Sequence, residues 1–262
     1  MTLPLITAHR DGHVAELTMR NGAHANAISA RFAQELVGHL QAAVDGGARV
    51  LILRAESGVR TWCAGHDIGE LPSNPSEQIS WTNSLETLVS GVRSVPIPII
   101  AAVEGGVWGG GCELVMTADL VIACRNSTFA VTPTRLGVPY AATGLNRFLA
   151  ALPIHVVNEM FLTANPIDAQ RAYELGFVNR IAADSEDLHR QAGEVARRIA
   201  DGAPLAVRAI KATANALVDA NPMSAAVSAQ ISELARSAWG SADYQEGLRA
   251  FAQRRKPQFG GS

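Results

Sequence analysis

A glycine-rich segment between a short apolar run and a stretch of helical character is the part of this chain best suited to chemistry. It runs from Glu104 to Leu114, reads EGGVWGGGCEL, and contains five glycines among eleven residues. Glycine supplies positive φ and lets backbones approach closely, so the segment could simply be a tight turn. A turn that opens a helix also leaves backbone N–H groups without helical partners, and these can bind an anion or an oxyanion. Spacing alone supports the two interpretations equally.

A second loop, Ala64-Gly65-His66-Asp67-Ile68, follows another apolar run. Because loops at the carboxyl ends of parallel strands converge, we expect the two loops to meet. One backbone N–H from each could then hold the negative oxygen of an enolate or a tetrahedral species. Glu113 lies three residues after Gly110, so a helix that begins at Gly110 would return its carboxylate to the same face. Alternatively, Glu113 is a first-turn acid that complements the helix dipole.

The elements that would position these loops alternate between strand and helix. A hairpin signal at Asp11-Gly12 joins the first two predicted strands, and Ser29 can cap the first helix. In chain order, the predicted elements are strands Leu5–His9 and Val14–Met19, helix Ala30–Val44, strand Val50–Leu53, a lid-like loop Leu71–Ser76, helix Ile79–Val92, strand Ile99–Val103, a helix near Glu113–Thr117 and strand Leu120–Ala123. This alternation predicts an α/β fold with crossover connections.

The pattern becomes helical after about residue 140. Asp168 is the predicted N-cap of a short helix that ends at Leu175-Gly176. Further helices are predicted over Asp187–Ala200, Pro204–Val218, Ser224–Trp239 and Asp243–Arg254. We therefore expect an α/β core over residues 1–200 and a helical region over residues 201–262. The Ala-rich faces of that region would pack on the core or on another subunit.

Composition excludes several classes of protein. The 262 residues are 48% apolar and 18% charged, as in soluble globular proteins. The formal net charge is -2, from 22 basic and 24 acidic residues, so no excess of positive charge indicates binding to nucleic acid or an anionic membrane. Three cysteines without C-x-x-C spacing favour a reduced protein over a disulfide scaffold. The charged first twenty residues and the short, proline-containing run Val95–Val103 contain no targeting or membrane-spanning signal, so we expect a cytoplasmic protein.

The motifs taken together resemble the crotonase superfamily, also called the enoyl-CoA hydratase/isomerase family. The resemblance covers essentially the whole chain and rests on Asn26-Ala27-Ile28, the CAGHDI loop, the EGGVWGGGCEL turn, Ala118-Asp119, Thr128-Phe129, Leu136-Gly137 and Arg255-Lys256-Pro257-Gln258-Phe259. It implies a spiral core of ββα units and C-terminal helices that form trimers, often paired into hexamers. It also implies binding of acyl-CoA thioesters, with two backbone N–H groups that stabilise the enolate. The matching positions here are His66 and Gly110.

The resemblance also implies which residues surround coenzyme A. The predicted binding residues are Asn26, Ala27, Ile28, Ala64, Gly65, Asp67, Ile68 and Trp108. Arg254 and Lys256 are expected to neutralise the CoA phosphates, with a solvated tail as the alternative. We expect no cofactor, because coenzyme A is part of the substrate. His13, His24, Cys63 and His66 do not have the spacing of a metal site, so no metal is expected.

One position departs from the hydratases of this family, which use two glutamates to hold and activate water. Glu113 matches the first glutamate. The second belongs five positions after Thr128, where this chain has Pro133 between Thr132 and Thr134. Loss of one acid–base group removes much of the roughly 10²–10⁴-fold that such a group contributes. Hydration is therefore disfavoured as the main activity.

Several segments instead resemble one branch of the family, the methylmalonyl-CoA decarboxylases. They are Thr132-Pro133, Leu136-Gly137-Val138-Pro139-Tyr140, the His66 loop with Glu70-Leu71-Pro72-Ser73, Val107-Trp108-Gly109-Gly110, Asp243-Tyr244-Gln245-Glu246-Gly247 and Arg255-Lys256-Pro257. Decarboxylation needs no base to begin, since loss of CO₂ delivers an electron pair to the thioester. The resulting enolate is stabilised mainly by the oxyanion hole.

The hydroxyls of Tyr140 and Thr132 could hold the departing carboxylate out of the thioester plane. The alternatives are a core tyrosine with a satisfied hydroxyl and a threonine that merely ends a strand. Glu113 could relay a proton to the enolate or order the site, and His66 is expected to act through its N–H rather than its imidazole. Two other functions stay open: an enoyl-CoA hydratase or isomerase that uses Glu113 alone, and a catalytically silent CoA-binding protein.

Overall fold

Two β-sheets form the centre of the protein, whose computed structural model describes residues 3–72, 84–219 and 225–260. Six strands form the larger sheet in the order β1-β2-β3-β5-β7-β10, and four form the smaller in the order β4-β6-β8-β9. The strands are β1 Ile6–Asp11, β2 Val14–Met19, β3 Val50–Ala55, β4 Thr61–Cys63, β5 Ile99–Val103, β6 Gly106–Trp108, β7 Leu120–Cys124, β8 Thr128–Ala130, β9 Ile167–Asp168 and β10 Arg180–Ala182.

Most neighbouring strands are parallel. The predicted hairpin at Asp11-Gly12 is confirmed, with β1 antiparallel to β2 and Gly12 at φ 57°. In the larger sheet β2, β3, β5, β7 and β10 then run parallel to one another. In the smaller sheet β4, β6 and β8 are parallel and β9 is antiparallel to β8.

A repeated ββα unit connects the two sheets. Each of β3, β5 and β7 leads directly to a strand of the smaller sheet, β4, β6 or β8, and a helix follows. These helices are α2 Ser84–Ser94, α3 Gly110–Thr117 and α4 Ala142–Ala151. Because β4 and β6 are parallel neighbours, the loops that follow them leave the same edge of the smaller sheet. The α/β spiral expected from the sequence is confirmed.

Strand β5 shows why the apolar runs are continuous rather than alternating. Ile99 and Ala101 face the main core, whereas Ile100 and Ala102 face a second buried layer. Helix α7, Ser185–Ala200, covers that second layer with Leu188 and three alanines. A parallel strand buried on both faces is apolar throughout, in agreement with the sequence interpretation.

The remaining helices are α1 Ala30–Asp45, α5 Ile154–Thr163, α6 Ala169–Glu174, α8 Pro204–Asp219, α9 Ala225–Trp239 and α10 Ala242–Ala252. The predicted caps at Ser29 and Asp168 are confirmed, since their side chains accept bonds from the N–H of Phe32 and Arg171. Helix α3 begins at Gly110, three residues before the predicted start at Glu113. The start of the predicted helix Ile79–Val92, and residues 73–76 of the lid-like loop, lie outside the described residues.

Helices α4 and α5 were not predicted from the sequence. The residues that precede them, Ala141 and Pro153, make no side-chain hydrogen bond to the helix start. Sequence patterns detect helix starts largely through capping side chains, so these two helices had no start signal.

The C-terminal helices contact the core within this same chain. Lys211 of α8 donates to the backbone oxygen of Ile97 at 2.9 Å and pairs with Asp119 at 2.7 Å. Tyr244 of α10 is fully buried, and its hydroxyl donates to the backbone oxygen of Pro72 at 2.7 Å. Helix α10 ends at Ala252, so the prediction that this helix extends to Arg254 was wrong. Arg254 has φ 52°. Among the described helices, none has the length and apolarity to cross a membrane.

Candidate active site

A cavity of about 400 Å³ lies where the two predicted loops meet. It brings together four predicted site residues from three separate segments of the sequence: His66, Gly110, Glu113 and Tyr140. Much of the remaining wall is apolar, and it includes Leu71, Leu85, Val89, Pro133, Val138, Pro139, Ala235 and Trp239. Because Ala235 and Trp239 belong to α9, the C-terminal helices help to enclose this cavity.

The loop that contains His66 is held by short strand-like pairing with residues before α1. The N–H of Ile28 donates to Gly65 O at 2.7 Å, and the N–H of Asp67 donates to Ile28 O at 3.0 Å. This parallel pairing centres on Ile28 and His66 and therefore points the N–H of His66 away from Ile28. Gly65, at φ +85°, gives the loop its bend, since other residues rarely adopt that conformation.

The loop that contains Gly110 is the predicted glycine-rich turn. Gly109 adopts φ 51° and ψ -121°, and its N–H donates to Ala130 O at 2.8 Å. Gly110 is the first residue of α3, so its N–H has no acceptor within that helix. A Cβ on Gly65 would lie 2.8 Å from the nitrogen of Gly110. The two N–H groups predicted to form an oxyanion hole therefore lie on adjoining loops that line one cavity.

Both carboxylate oxygens of Glu113 accept hydrogen bonds from side chains. Arg147 Nη1 donates to Oε1 at 2.6 Å, and the Tyr140 hydroxyl donates to Oε2 at 2.7 Å. The Glu113 side chain is 7% exposed, and that of Arg147 is 15% exposed. The carboxylate can approach α4 this closely because residue 144 is glycine, where a Cβ would lie 2.6 Å from Oε2.

Burial sets the direction of the pKa shifts in the cavity. It raises the pKa of Glu113 above its usual value, although the Tyr140 hydrogen bond and the Arg147 charge oppose the shift. Burial and the nearby Glu113 carboxylate raise the pKa of Tyr140 well above its usual range. Burial lowers the pKa of His66, against the opposing charges of Glu70 and Asp67. Tyr140 and His66 are thus favoured in their neutral forms near neutral pH.

The ring of Tyr140 is fixed by two phenylalanines. Phe161 of α5 packs edge-on with its centroid 4.9 Å away, and Phe148 of α4 does so at 6.3 Å. Tyr140 therefore lines the cavity, and its hydroxyl hydrogen is donated to Glu113; its role toward a substrate carboxylate stays a prediction.

Thr132 lies beside the glycine-rich turn rather than among the residues described as lining the cavity. It precedes the 3₁₀ turn Pro133–Leu136, and a Cβ on Gly109 would lie 3.4 Å from its hydroxyl oxygen. Pro133, at the position where hydratases were expected to carry a second glutamate, forms part of the cavity wall. An apolar ring therefore replaces a carboxylate there.

Several predicted CoA-binding residues frame the His66 loop. Asn26 is fully buried, accepts from the N–H of Asn21 and donates to the backbone oxygen of Trp62 at 2.9 Å. Asp67 caps the 3₁₀ turn Ile68–Glu70 by accepting from the N–H of Gly69 at 3.0 Å.

Backbone groups complete this frame. The N–H of Ala27 donates to His24 O, and that of Ala64 donates to Ala25 O at 2.8 Å. The carbonyl oxygen of Trp108 would lie 2.5 Å from a Cβ on Gly65. These residues therefore build the loops that carry the two N–H groups.

The two predicted phosphate-binding residues are not among the residues that line the cavity. Arg254 and Lys256 are exposed and follow α10, outside the described cavity wall. Arg255 between them pairs with Glu246 at 2.5 Å. That ion pair and the adjacent Gln258 N–H hold the pKa of Glu246 down at about 2.

Arg147 is the main site residue that the sequence interpretation missed. It lies on α4, one of the two helices that had no start signal. Its helical spacing from Gly144 was the available clue, since residues three apart share a helix face. Among the described residues, no three His, Cys, Asp or Glu side chains come together as a metal site.

Comparisons of the sequence and of the structure with known proteins agree with one another. Residues 9–262 match the enoyl-CoA hydratase/isomerase family. Methylmalonyl-CoA decarboxylase of Escherichia coli (strain K12) is 39% identical over 95% of each chain. A probable mitochondrial enoyl-CoA hydratase 2 of Arabidopsis thaliana is 32% identical over 96% of this chain and 83% of its own. A solved structure of methylmalonyl-CoA decarboxylase in complex with 2-nitronate-propionyl-CoA superimposes with a TM-score of 0.95, at 37% identity and with 98% and 99% coverage.

Proposed function

The chain belongs to the enoyl-CoA hydratase/isomerase family, and we propose that it decarboxylates methylmalonyl-CoA, or a related branched malonyl-CoA, to a propionyl-CoA-type thioester. The observation that carries the proposal is the hydrogen bonding of Glu113. Both of its carboxylate oxygens accept side-chain hydrogen bonds in the cavity that His66 and Gly110 also line. Such a site is suited to hold an enolate and poorly suited to remove a proton. The similarity to methylmalonyl-CoA decarboxylase supports the same conclusion.

The proposed reaction begins when the thioester oxygen accepts hydrogen bonds from the N–H groups of His66 and Gly110. The bond between the α carbon and the carboxylate then breaks, and its electron pair moves through the α carbon to the thioester oxygen. CO₂ leaves, and the α carbon takes a proton from solvent water, which leaves as hydroxide, to give the product. The two N–H groups stabilise the enolate oxygen, a contribution of about 3–4 kcal/mol for each such donor. No cofactor is required for this sequence.

The hydroxyls of Tyr140 and Thr132 have the proposed task of orienting the departing carboxylate. Tyr140 lines the cavity, and Thr132 borders the glycine-rich turn. Because the Tyr140 hydrogen is donated to Glu113 in this structure, it must turn toward the substrate carboxylate when the substrate binds. Before that turn Glu113 orders the Tyr140 hydroxyl, and the apolar wall favours neutral CO₂ over the carboxylate.

A second candidate activity is enoyl-CoA hydration or isomerisation. The observation that favours it is a second carboxylate in the cavity wall, Glu86 of α2. Glu86 is exposed, whereas Glu113 is buried, so the two carboxylates are not equivalent. A catalytically silent CoA-binding protein is the third candidate.

One experiment separates the three. The purified protein is incubated separately with methylmalonyl-CoA and with crotonyl-CoA, and both CO₂ release and hydration are followed. We expect CO₂ and propionyl-CoA from the first substrate and little hydration of the second. Turnover of crotonyl-CoA alone would instead establish a hydratase, and binding of CoA without any turnover would establish a silent protein.

We further propose that the helical region over residues 201–262 assembles the protein into trimers or hexamers. Large apolar side chains of α8 and α9 are exposed in the single chain, namely Leu205, Ile210, Leu217 and Leu234. A concentration of such side chains is typical of a contact surface. Arg254 and Lys256 would bind the CoA phosphates beside this region. A cytoplasmic location is proposed from the three free, buried cysteines.

A further inference from the structure

We propose that Arg147 is a positioning residue that restricts this cavity to decarboxylation by keeping the Glu113 carboxylate out of proton-transfer chemistry. The inference rests on the proposed function, because it explains why one reaction of the enolate site is preferred over others. It concerns a residue that acts through Glu113 and not through contact with the reacting atoms.

Each oxygen of Glu113 accepts one side-chain hydrogen bond, and the bond from Arg147 does not depend on where the Tyr140 hydroxyl turns. Arg147 Nη1 lies 2.6 Å from Oε1, and the Tyr140 hydroxyl oxygen lies 2.7 Å from Oε2. Both partners of the ion pair are largely buried, at 7% and 15% exposure of their side chains. Charge-assisted hydrogen bonds in such surroundings are strong and fix the orientation of both groups.

A hydratase or an isomerase needs a carboxylate that acts as a general base, and the pairing with Arg147 opposes that role. A general base must offer a carboxylate oxygen to the proton or the water that it activates. A cation close to a carboxylate also favours its charged form and so weakens it as a base. Decarboxylation has no such requirement, since the electron pair comes from the breaking carbon–carbon bond. The same oxyanion hole can therefore serve decarboxylation while the base is suppressed.

The other charged or titratable groups that face Glu113 do not replace Arg147. Among the described residues of the cavity wall these are Glu86 of α2, His66 of the β4 loop and Tyr140 before α4. The charge of Glu86 acts in the opposite direction from Arg147. Burial lowers the pKa of His66 and raises that of Tyr140, which favours the neutral form of both. Arg147 is thus the cation that faces the carboxylate from the described wall.

The test measures base strength separately from CO₂ release. Propionyl-CoA is incubated with enzyme in D₂O, and exchange of its α hydrogens is followed by mass spectrometry. Exchange requires Glu113 to accept the α proton while the electron pair moves to the thioester oxygen, after which a deuteron returns to carbon. At a pH above the rising limb of both proteins, we expect Arg147→Met to raise exchange relative to CO₂ release by about tenfold, because the unpaired Glu113 carboxylate is a stronger base.

Matched variants identify the cause. Arg147→Lys keeps a positive charge and should fall between wild type and R147M. Arg171→Met removes an exposed ion pair of the same type, formed with Glu159 at 2.6 Å, and should leave the exchange ratio unchanged. The rising limb of the R147M exchange profile should lie at higher pH than that of wild type, because losing the cation raises the pKa of Glu113.

A double variant covers the case in which R147M leaves an unpaired buried carboxylate and does not fold. Glu113→Gln combined with R147M removes both charges, so it should fold, and its exchange should not exceed that of wild type. An unchanged exchange ratio in R147M and R147K, or a gain that persists in the double variant, would overturn the assignment. Failure of wild type to release CO₂ from methylmalonyl-CoA would overturn the proposed function instead, since exchange uses a different substrate.

Discussion

At the scale of single residues, the chemistry depends on which hydrogen-bonding groups are already committed before substrate arrives. Tyr140 has one hydroxyl hydrogen, and it is donated to a buried carboxylate. His66 has a lowered pKa because its imidazole is buried, so its charge is suppressed. Its backbone N–H is directed away from Ile28 by the loop pairing, independently of the ring. The backbone and the side chain of one residue can therefore be tested separately.

Changing Tyr140 to Phe tests the role of the hydroxyl. The variant loses the proposed hydrogen bond to the substrate carboxylate, so CO₂ release should slow by about ten- to a hundredfold. The ring packing against Phe161 and Phe148 is retained, so the fold should persist. Steady-state kinetics with methylmalonyl-CoA make the measurement, and kinetics equal to wild type would remove Tyr140 from the mechanism.

Changing His66 to Asn tests whether the imidazole matters. In the folded protein the pKa of His66 lies below its ordinary value near 6.5. Between these two pH values the unfolded protein binds more protons than the folded protein does. The free energy of unfolding should therefore rise with pH through that range. His66→Asn should remove this part of the acid sensitivity in thermal melts below about pH 6.5. CO₂ release should stay within about tenfold of wild type, because the N–H is kept. A complete loss of CO₂ release would assign chemistry to the imidazole.

At the scale of elements, glycines decide how closely the parts of the site approach. In an ordinary helix, Gly→Ala is favourable by roughly 0.5–1 kcal/mol. Gly144 of α4 differs, because its Cβ would lie 2.6 Å from Glu113 Oε2 and 2.7 Å from Tyr140 Cε1. The helix α4 can therefore carry Arg147 to the carboxylate only while residue 144 has no side chain.

Gly144→Ala should accordingly destabilise the protein by about 1–3 kcal/mol and displace Glu113 and Tyr140. CO₂ release should fall by about tenfold as the hydrogen bonds are lost. Gly38→Ala in α1 is the matched control, because nothing lies within 4 Å of its Cβ position. It should stabilise the protein, and equal effects of the two changes on melting temperature and rate would contradict this account.

The sequence predicted the elements that have strong local signals and missed those that lack them. Continuous apolar runs identified strands such as Ile99–Val103, and side-chain caps identified α1 and α6. The start of α3 was placed too late because Gly110 and Gly111 are poor helix formers, held there by tertiary contact. Arg147 was missed because its helix has no capping side chain. The Glu113 ion pair depends on a contact across 34 residues that local patterns do not encode.

At the scale of the whole molecule, the repeated ββα unit explains how the two N–H groups meet. Parallel strands β4 and β6 carry both loops to one edge of the smaller sheet, and α9 closes the far wall of the cavity with Trp239. Helix α10 anchors that wall through Tyr244, whose ring packs edge-on against Trp239 at 4.9 Å. The C-terminal helices therefore connect the cavity to the surface proposed for assembly.

The proposed assembly predicts a trimer, or a hexamer, by light scattering of the purified protein. Ile210 of α8 is 70% exposed in the single chain, so Ile210→Asp would place a charge in the interface without disturbing the core. We expect this variant to shift the measured mass toward the monomer. A monomeric wild type, or an unaffected assembly in the variant, would contradict the assignment of this surface.

The central claim is that a backbone N–H at the start of α3 stabilises the enolate formed by loss of CO₂. The most direct measurement compares CO₂ release from methylmalonyl-CoA by Gly110→Ala and Gly110→Pro. Both variants place a Cβ near Leu85, but only proline removes the N–H, and proline is well tolerated at a first helical position. The account predicts that G110P is slower than G110A by about 10²–10³-fold. Equal rates for the two variants would contradict it.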